Sequence, residues 1–250
     1  MRQPAARGRF ATEAPRAARE FANFVAVRRQ LMKGPEGDGR PILVLPGFIG
    51  SDGSTLALRR LLRAKGYHVH AWRLGRNLGP TDRILTGLRE RVRGLVLEHR
   101  QPLTLIGHSL GGIYSREIAR SAPEIVRQVI TLGSPFRRPG RATSPVTPLF
   151  QALAPLHSDN VKNAAADPDA MLRPLSVPLT AIFTKTDGVV PWKVCIPDDS
   201  KRVEAIEVTG SHSGLIHNPA SIGVILDRLQ LKRWRPFEES DRIAATIYRA

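Results

Sequence analysis

The sequence predicts an α/β fold, a mostly parallel central sheet with helices on both faces. Three observations predict it. Apolar runs of strand length alternate with longer amphipathic stretches along all 250 residues, the pattern of a sheet covered on both sides. A hydrophobic content of 42% is enough for one large core in a single domain. A serine flanked by glycines, Gly107-His108-Ser109-Leu110-Gly111, stands where one apolar run gives way to a helix start.

Strands are expected at 42–45, 68–74, 103–106, 128–132, 179–184 and 202–208, each a short apolar or β-branched run bounded by turn residues. Helices are expected at 55–65, 82–99, 112–121 and 219–229, where apolar residues recur every three to four positions. Ahead of these, residues 1–40 read as a flexible leader followed by a surface helix from Glu13 to Met32, with Phe21, Phe24, Val25 and Leu31 on one face. Residues 41–250 read as the main domain. Within it, 137–178 breaks the alternation with seven prolines, yet carries Val146, Leu149, Phe150, Leu153, Leu156, Met171 and Leu172. That is too apolar for a solvated loop, and the segment reads as an inserted cap or lid. Trp234 and Phe237 are expected to anchor the tail.

The single cysteine, Cys195, excludes an internal disulfide and a cysteine-rich zinc site. No run approaches the roughly 20 apolar residues of a membrane helix, and a cytoplasmic protein is expected. The formal net charge of +16 would suit a polyanionic partner. However, the arginines are scattered rather than interleaved with aromatics, which argues against nucleic acid and leaves only weak association with an anionic membrane surface.

The chemistry follows from the serine turn. A sharp strand-to-helix turn needs glycine on either side while it pushes the serine outward, making Ser109 the candidate nucleophile. A serine hydroxyl is inert until a base takes its proton, and the base needs an acid to orient it. Asp187 lies in a Thr-Asp-Gly turn after the strand at 179–184, and His212 in a small-residue loop after the last strand. His217 is the competing base, although its place beside Asn218 and Pro219 suits a capping or packing histidine better. Gly47, Gly50 and Gly53 are spaced wrongly for a dinucleotide fingerprint.

The order Ser109, Asp187, His212 resembles that of the α/β-hydrolase superfamily, in particular its compact lipases and carboxylesterases. The resemblance spans about residues 41–231. It implies an esterase that forms an acyl-enzyme on Ser109, with Asp187 and His212 completing the triad. It also implies oxyanion donors at the backbone N–H groups of Phe48 and Leu110. Thioesterase or acyltransferase chemistry would use the same triad, and a non-catalytic binding protein could share the fold. The expected ligand is a small ester or lipid, with Phe150 and Leu153 in the acyl pocket, and no cofactor or metal is implied.

Overall fold

The structure, a computed structural model, describes residues 5–136, 144–159, 174–198, 202–231 and 235. Six strands, β1 (Pro41–Leu45), β2 (His68–Ala71), β3 (Leu103–His108), β4 (Val126–Leu132), β5 (Leu179–Phe183) and β6 (Val203–Glu207), form one sheet in the order β2-β1-β3-β4-β5-β6. Every neighbouring pair is parallel. Among the described residues the α-helices are α1 (Ala5–Ala11), α2 (Glu13–Leu31), α3 (Leu56–Ala64), α4 (Asp82–His99), α5 (Leu110–Ser121), α6 (Thr147–Ala152) and α7 (Pro219–Gln230).

The two faces of the sheet are separated by strand alternation. Ile42 and Val44 of β1 pack with Phe24, Val27 and Leu31 of α2, Leu58 and Leu61 of α3, and Ile222 and Ile225 of α7. Leu43 and Leu45 point the other way, into a core with Ile84, Leu88 and Leu95 of α4 and Tyr114 and Ala119 of α5. All five β1 side chains are buried, so this strand has no solvent face to break its apolar run.

Boundaries match wherever a capping residue writes them. The Thr81 hydroxyl accepts the Ile84 N–H at 3.2 Å to start α4, and Arg100 ends it in a left-handed conformation. The Asn218 side chain accepts the Ala220 N–H at 2.9 Å to start α7, with Pro219 in the first turn. β2 is shorter than expected, ending at Ala71. The Asp52 carboxylate takes the N–H groups of Trp72 (3.1 Å) and Arg73 (3.2 Å), and Arg73 turns to φ +61°, which removes both from the ladder.

The N-terminal segment differs more. Residues 5–11 are helical, and α2 lies on the surface with one face buried. Its inward face carries Glu20, Phe24, Val27 and Leu31, while Phe21 and Val25 are exposed. The 3.6-residue period selects 20, 24, 27 and 31, and the expectation erred by following hydrophobicity alone when a buried acid belongs to that face. In the inserted region, α6 and a following 3-10 turn at Ala154–Leu156 supply short helices. Met171, Leu172, Trp234 and Phe237 lie outside the described residues. Among the described residues, no helix is long and apolar enough to cross a membrane.

Candidate active site

Ser109 sits between β3 and α5 with φ +50° and ψ −118°, a conformation that costs a non-glycine residue about 1–3 kcal/mol. The surroundings hold it there. The Ser109 N–H donates to the Leu132 carbonyl at 2.8 Å, tying the turn to the end of β4. A Cβ at Gly111 would lie 2.5 Å from the Leu45 carbonyl oxygen, so only glycine lets the start of α5 approach the end of β1 this closely. Ser109 is half-buried.

Asp187 follows β5 and His212 follows β6, in loops at the same carboxyl edge of the sheet, where open α/β sheets bind ligands. His212 Nδ1 and Asp187 Oδ2 are 2.7 Å apart, and both side chains are buried. The other oxygen of Asp187 accepts the N–H groups of Val189 (2.8 Å) and Val190 (2.7 Å), which fixes the carboxylate plane. Burial alone would push His212 down, but the Asp187 charge and hydrogen bond, joined by the charge of Glu13, outweigh it and hold its pKa above the usual value.

Ser109 and His212 are joined through the neighbouring residue. The His108 ring donates from Nε2 to the His212 carbonyl at 2.9 Å, and the two rings lie 5.1 Å apart. Burial and the adjacent His212 lower the His108 pKa to about 3, leaving a neutral imidazole that bolts the serine turn to the histidine loop. Nothing in the sequence marked His108 beyond its place in the motif. His217 is engaged elsewhere: its Nε2 lies 3.0 Å from the Ala17 carbonyl of α2, and its ring meets Phe21 edge-on.

The loop after β1 reaches the serine turn from the other side. A Cβ at Gly47 would come within 3.1 Å of Ser109 Cβ and 2.9 Å of His108 Nδ1, so Phe48 follows directly on the closest approach. Leu110 opens α5, and its N–H has no acceptor within the helix. Asn77, fully buried, stiffens this side. Its amide donates to the Pro46 carbonyl at 2.9 Å, and its oxygen accepts from the Tyr114 hydroxyl at 3.2 Å. Its backbone exchanges two hydrogen bonds with the loop, Ile49 N–H to Asn77 carbonyl at 2.7 Å and Asn77 N–H to Gly50 carbonyl at 2.8 Å. Asn77 was not singled out from the sequence, where it is one polar residue in an irregular stretch. Phe150 of α6 meets the Phe48 ring at 5.2 Å and the His157 ring at 4.7 Å, whereas Leu153 caps the end of α6 half-buried.

Among the described residues, His70, Glu98 and His99 have ligand atoms within 4.8 Å of one another. They belong to β2 and the end of α4, away from the serine turn. The two imidazoles already share a proton, Nε2 to Nε2 at 2.7 Å. Burial, His99 and the nearby Arg91 and Arg63 charges lower the His70 pKa to about 4, and the same positive charges oppose a divalent cation.

Comparison with known proteins agrees with this architecture. The alpha/beta hydrolase family matches residues 42–246. Among solved structures, one of the metagenome-derived lipolytic enzymes LipS and LipT is 18% identical with a TM-score of 0.59, over 78% of this chain and 95% of that one. Bacillus licheniformis lipase BlEst2 is 16% identical with a TM-score of 0.57, over 80% and 95%. A thioesterase domain from the curacin biosynthetic pathway is 15% identical with a TM-score of 0.53, over 78% and 92%. Curated protein sequences give no match. At these identities the structural likeness is one of fold, but the family match covers most of the sequence, and the chain belongs to the alpha/beta hydrolase family.

Proposed function

We propose that the protein hydrolyses carboxylic esters through an acyl-enzyme on Ser109, with His212 as general base and Asp187 as the acid that orients it. The observation that carries this reading is the buried 2.7 Å contact between His212 Nδ1 and Asp187 Oδ2, on loops that converge beside a serine in a strained turn. With Nδ1–H committed to Asp187, Nε2 is left as the lone-pair nitrogen that accepts a proton.

The Ser109 proton passes to His212 Nε2 as Oγ bonds to the ester carbonyl carbon and the carbonyl π-electrons move to oxygen. The backbone N–H groups of Phe48 and Leu110 hold that oxyanion, each worth about 3 kcal/mol if it is aimed correctly. Collapse breaks the bond to the alkoxy oxygen, which leaves with the proton from Nε2. Water then repeats the cycle and releases the acid. Asp187 holds the imidazole in place throughout and stabilises the imidazolium. The segment around α6, with Phe150 and Leu153, is assigned to the acyl pocket; of the expected cap at 137–178, residues 137–143 and 160–173 lie outside the described residues.

A small ester or lipid is the proposed substrate class, in keeping with the lipolytic and lipase names of the structural neighbours. Thioester hydrolysis is the second reading, favoured by the likeness to a thioesterase domain. It requires no different residue, since only the leaving atom changes. The test is Ser109→Ala assayed on matched p-nitrophenyl esters and acyl thioesters. Loss of about 10⁶-fold in kcat with an unchanged thermal transition supports the reading. Retention of more than a few per cent of wild-type activity removes Ser109 from its role, and the ratio of the two substrates in the wild type chooses between the readings.

A further inference from the structure

Helix α2 lies outside the matched family region, yet three of its polar side chains reach the two loops that carry Asp187 and His212. Glu13, 5% exposed, takes three backbone N–H groups. Its Oε1 accepts from Gly188 at 2.8 Å and from His212 at 3.2 Å, and its Oε2 accepts from Ser213 at 3.1 Å. One carboxylate therefore spans the residue after the acid and the base itself. Two turns along the same face, Glu20 accepts the Ser211 N–H at 2.7 Å and the Asn218 amide at 3.2 Å. Between them Arg16 donates to the carbonyls of Thr186 (2.8 Å) and Gly210, and its guanidinium lies 3.8 Å from Glu13.

The chemistry of these donors explains why acids occupy a buried face. Tight loops leave N–H groups that no strand partner satisfies, and burying them unpaired is expensive. A carboxylate is acceptor-only, so one side chain satisfies several donors through charge-assisted bonds. A neutral acceptor could do part of that work. What it could not supply is negative charge beside the imidazole.

We propose that Glu13 is a positioning residue of this site: its carboxylate locks the Asp187 and His212 loops together and places a second negative charge behind the His212 imidazole. The inference rests on the serine hydrolase reading, and it makes α2 part of the catalytic machinery. Among the described residues, the charged and titratable groups around His212 are Asp187 on its own sheet edge, Glu13, Arg16 and Glu20 on α2, and His108 on the serine turn, the last held neutral by burial. Among the acids, only Asp187 and Glu13 raise the His212 pKa.

Glu13→Gln separates charge from shape, because its amide oxygen still accepts from Gly188 and His212 while the negative charge and the Ser213 acceptor are lost. The experiment follows the His212 ring by NMR of histidine-labelled protein across pH, alongside kcat and KM on a p-nitrophenyl ester. The expected result is a His212 midpoint lowered by about half a pH unit, the acid limb of kcat/KM moving with it. kcat should fall about ten-fold at nearly constant KM. An unmoved midpoint, or an unchanged kcat, overturns the proposal. Should Glu13→Gln fail to fold, Glu13→Asp decides: it keeps the charge but is one methylene short, so the midpoint should hold while kcat falls, and an unchanged kcat again overturns the role. If wild type cleaves no ester, the hydrolase reading fails, while the NMR midpoint still reports whether Glu13 acts on His212.

Discussion

The serine turn and the acid–base loops stand side by side at one end of the sheet, but they are stabilised in opposite ways. The turn's own residues, the serine and its flanking glycines, all lie within a short stretch of chain. Glycine at 107 lets β3 and α5 close on each other, glycine at 111 lets α5 meet the end of β1, and Ser109 between them stands at φ +50°. The acid–base loops are held from far away, by Glu13, Arg16 and Glu20, separated in sequence from their partners by 170 to 200 residues. A short motif can encode the first arrangement. The second exists only once the chain has folded, so it depends on α2 docking against α7 and the loops.

The largest test of this contrast is Asp187→Asn. The asparagine can keep the Val189 and Val190 hydrogen bonds through its oxygen, but it presents an amide N–H to His212 Nδ1 and so favours the wrong tautomer. A fall of about 10⁴-fold in kcat is expected, with circular dichroism unchanged and Ser109 still in its turn. Comparable turnover by this variant and wild type would show that the serine turn acts without the dyad, which would dissolve the distinction.

The two histidines sharpen it, because adjacent rings shift in opposite directions. His212 is raised, and a base must be neutral to accept a proton, so activity should climb through a limb above the ordinary value of 6.5 and be lost as pH falls below it. His108 is lowered to about 3. It stays neutral when folded while the unfolded chain protonates near 6.5, so acid favours unfolding throughout the interval between these values. Its contribution is about 1.4 kcal/mol per pH unit at most. Urea midpoints measured from pH 6.5 to 4 should therefore fall less steeply in His108→Asn than in wild type. Equal slopes would show that the serine turn carries no such proton linkage.

What the sequence made legible follows the same division. Local signals set α4, through Thr81, and α7, through Asn218 and Pro219, and they set the serine turn through its glycines. The order of the strands around Asp187 and His212 follows from the alternating pattern, which places both residues beyond strand ends. Three other features were hidden because their partners lie far along the chain. Asp52 cuts β2 short from 20 residues away. Asn77 looks like any loop residue until it reaches Pro46 and Tyr114. Glu13 and Glu20 carry no local mark of their role, since nothing nearby in the sequence announces the N–H groups they meet.

The smallest expected effect concerns α6, which contributes an aromatic edge against Phe48 in the loop after β1. The Phe150 ring meets Phe48 at 66° and 5.2 Å and backs onto His157, whose Nε2 lies 3.3 Å from the Leu78 carbonyl. Phe150 is therefore clamped between the loop after β1 and the stretch leading into α4. Phe150→Ala removes one aromatic contact, worth about 0.5–1.5 kcal/mol, and opens a phenyl-sized space beside Phe48. If that space belongs to the acyl pocket, kcat/KM for a longer acyl chain should rise about ten-fold relative to acetate, with kcat for acetate little changed. Leu153→Ala serves as the comparison, because Leu153 stands at the far end of α6. A chain-length profile that moves with Leu153 and not with Phe150 would shift the pocket away from the serine turn; one that moves with neither would leave α6 as packing over the Phe48 loop.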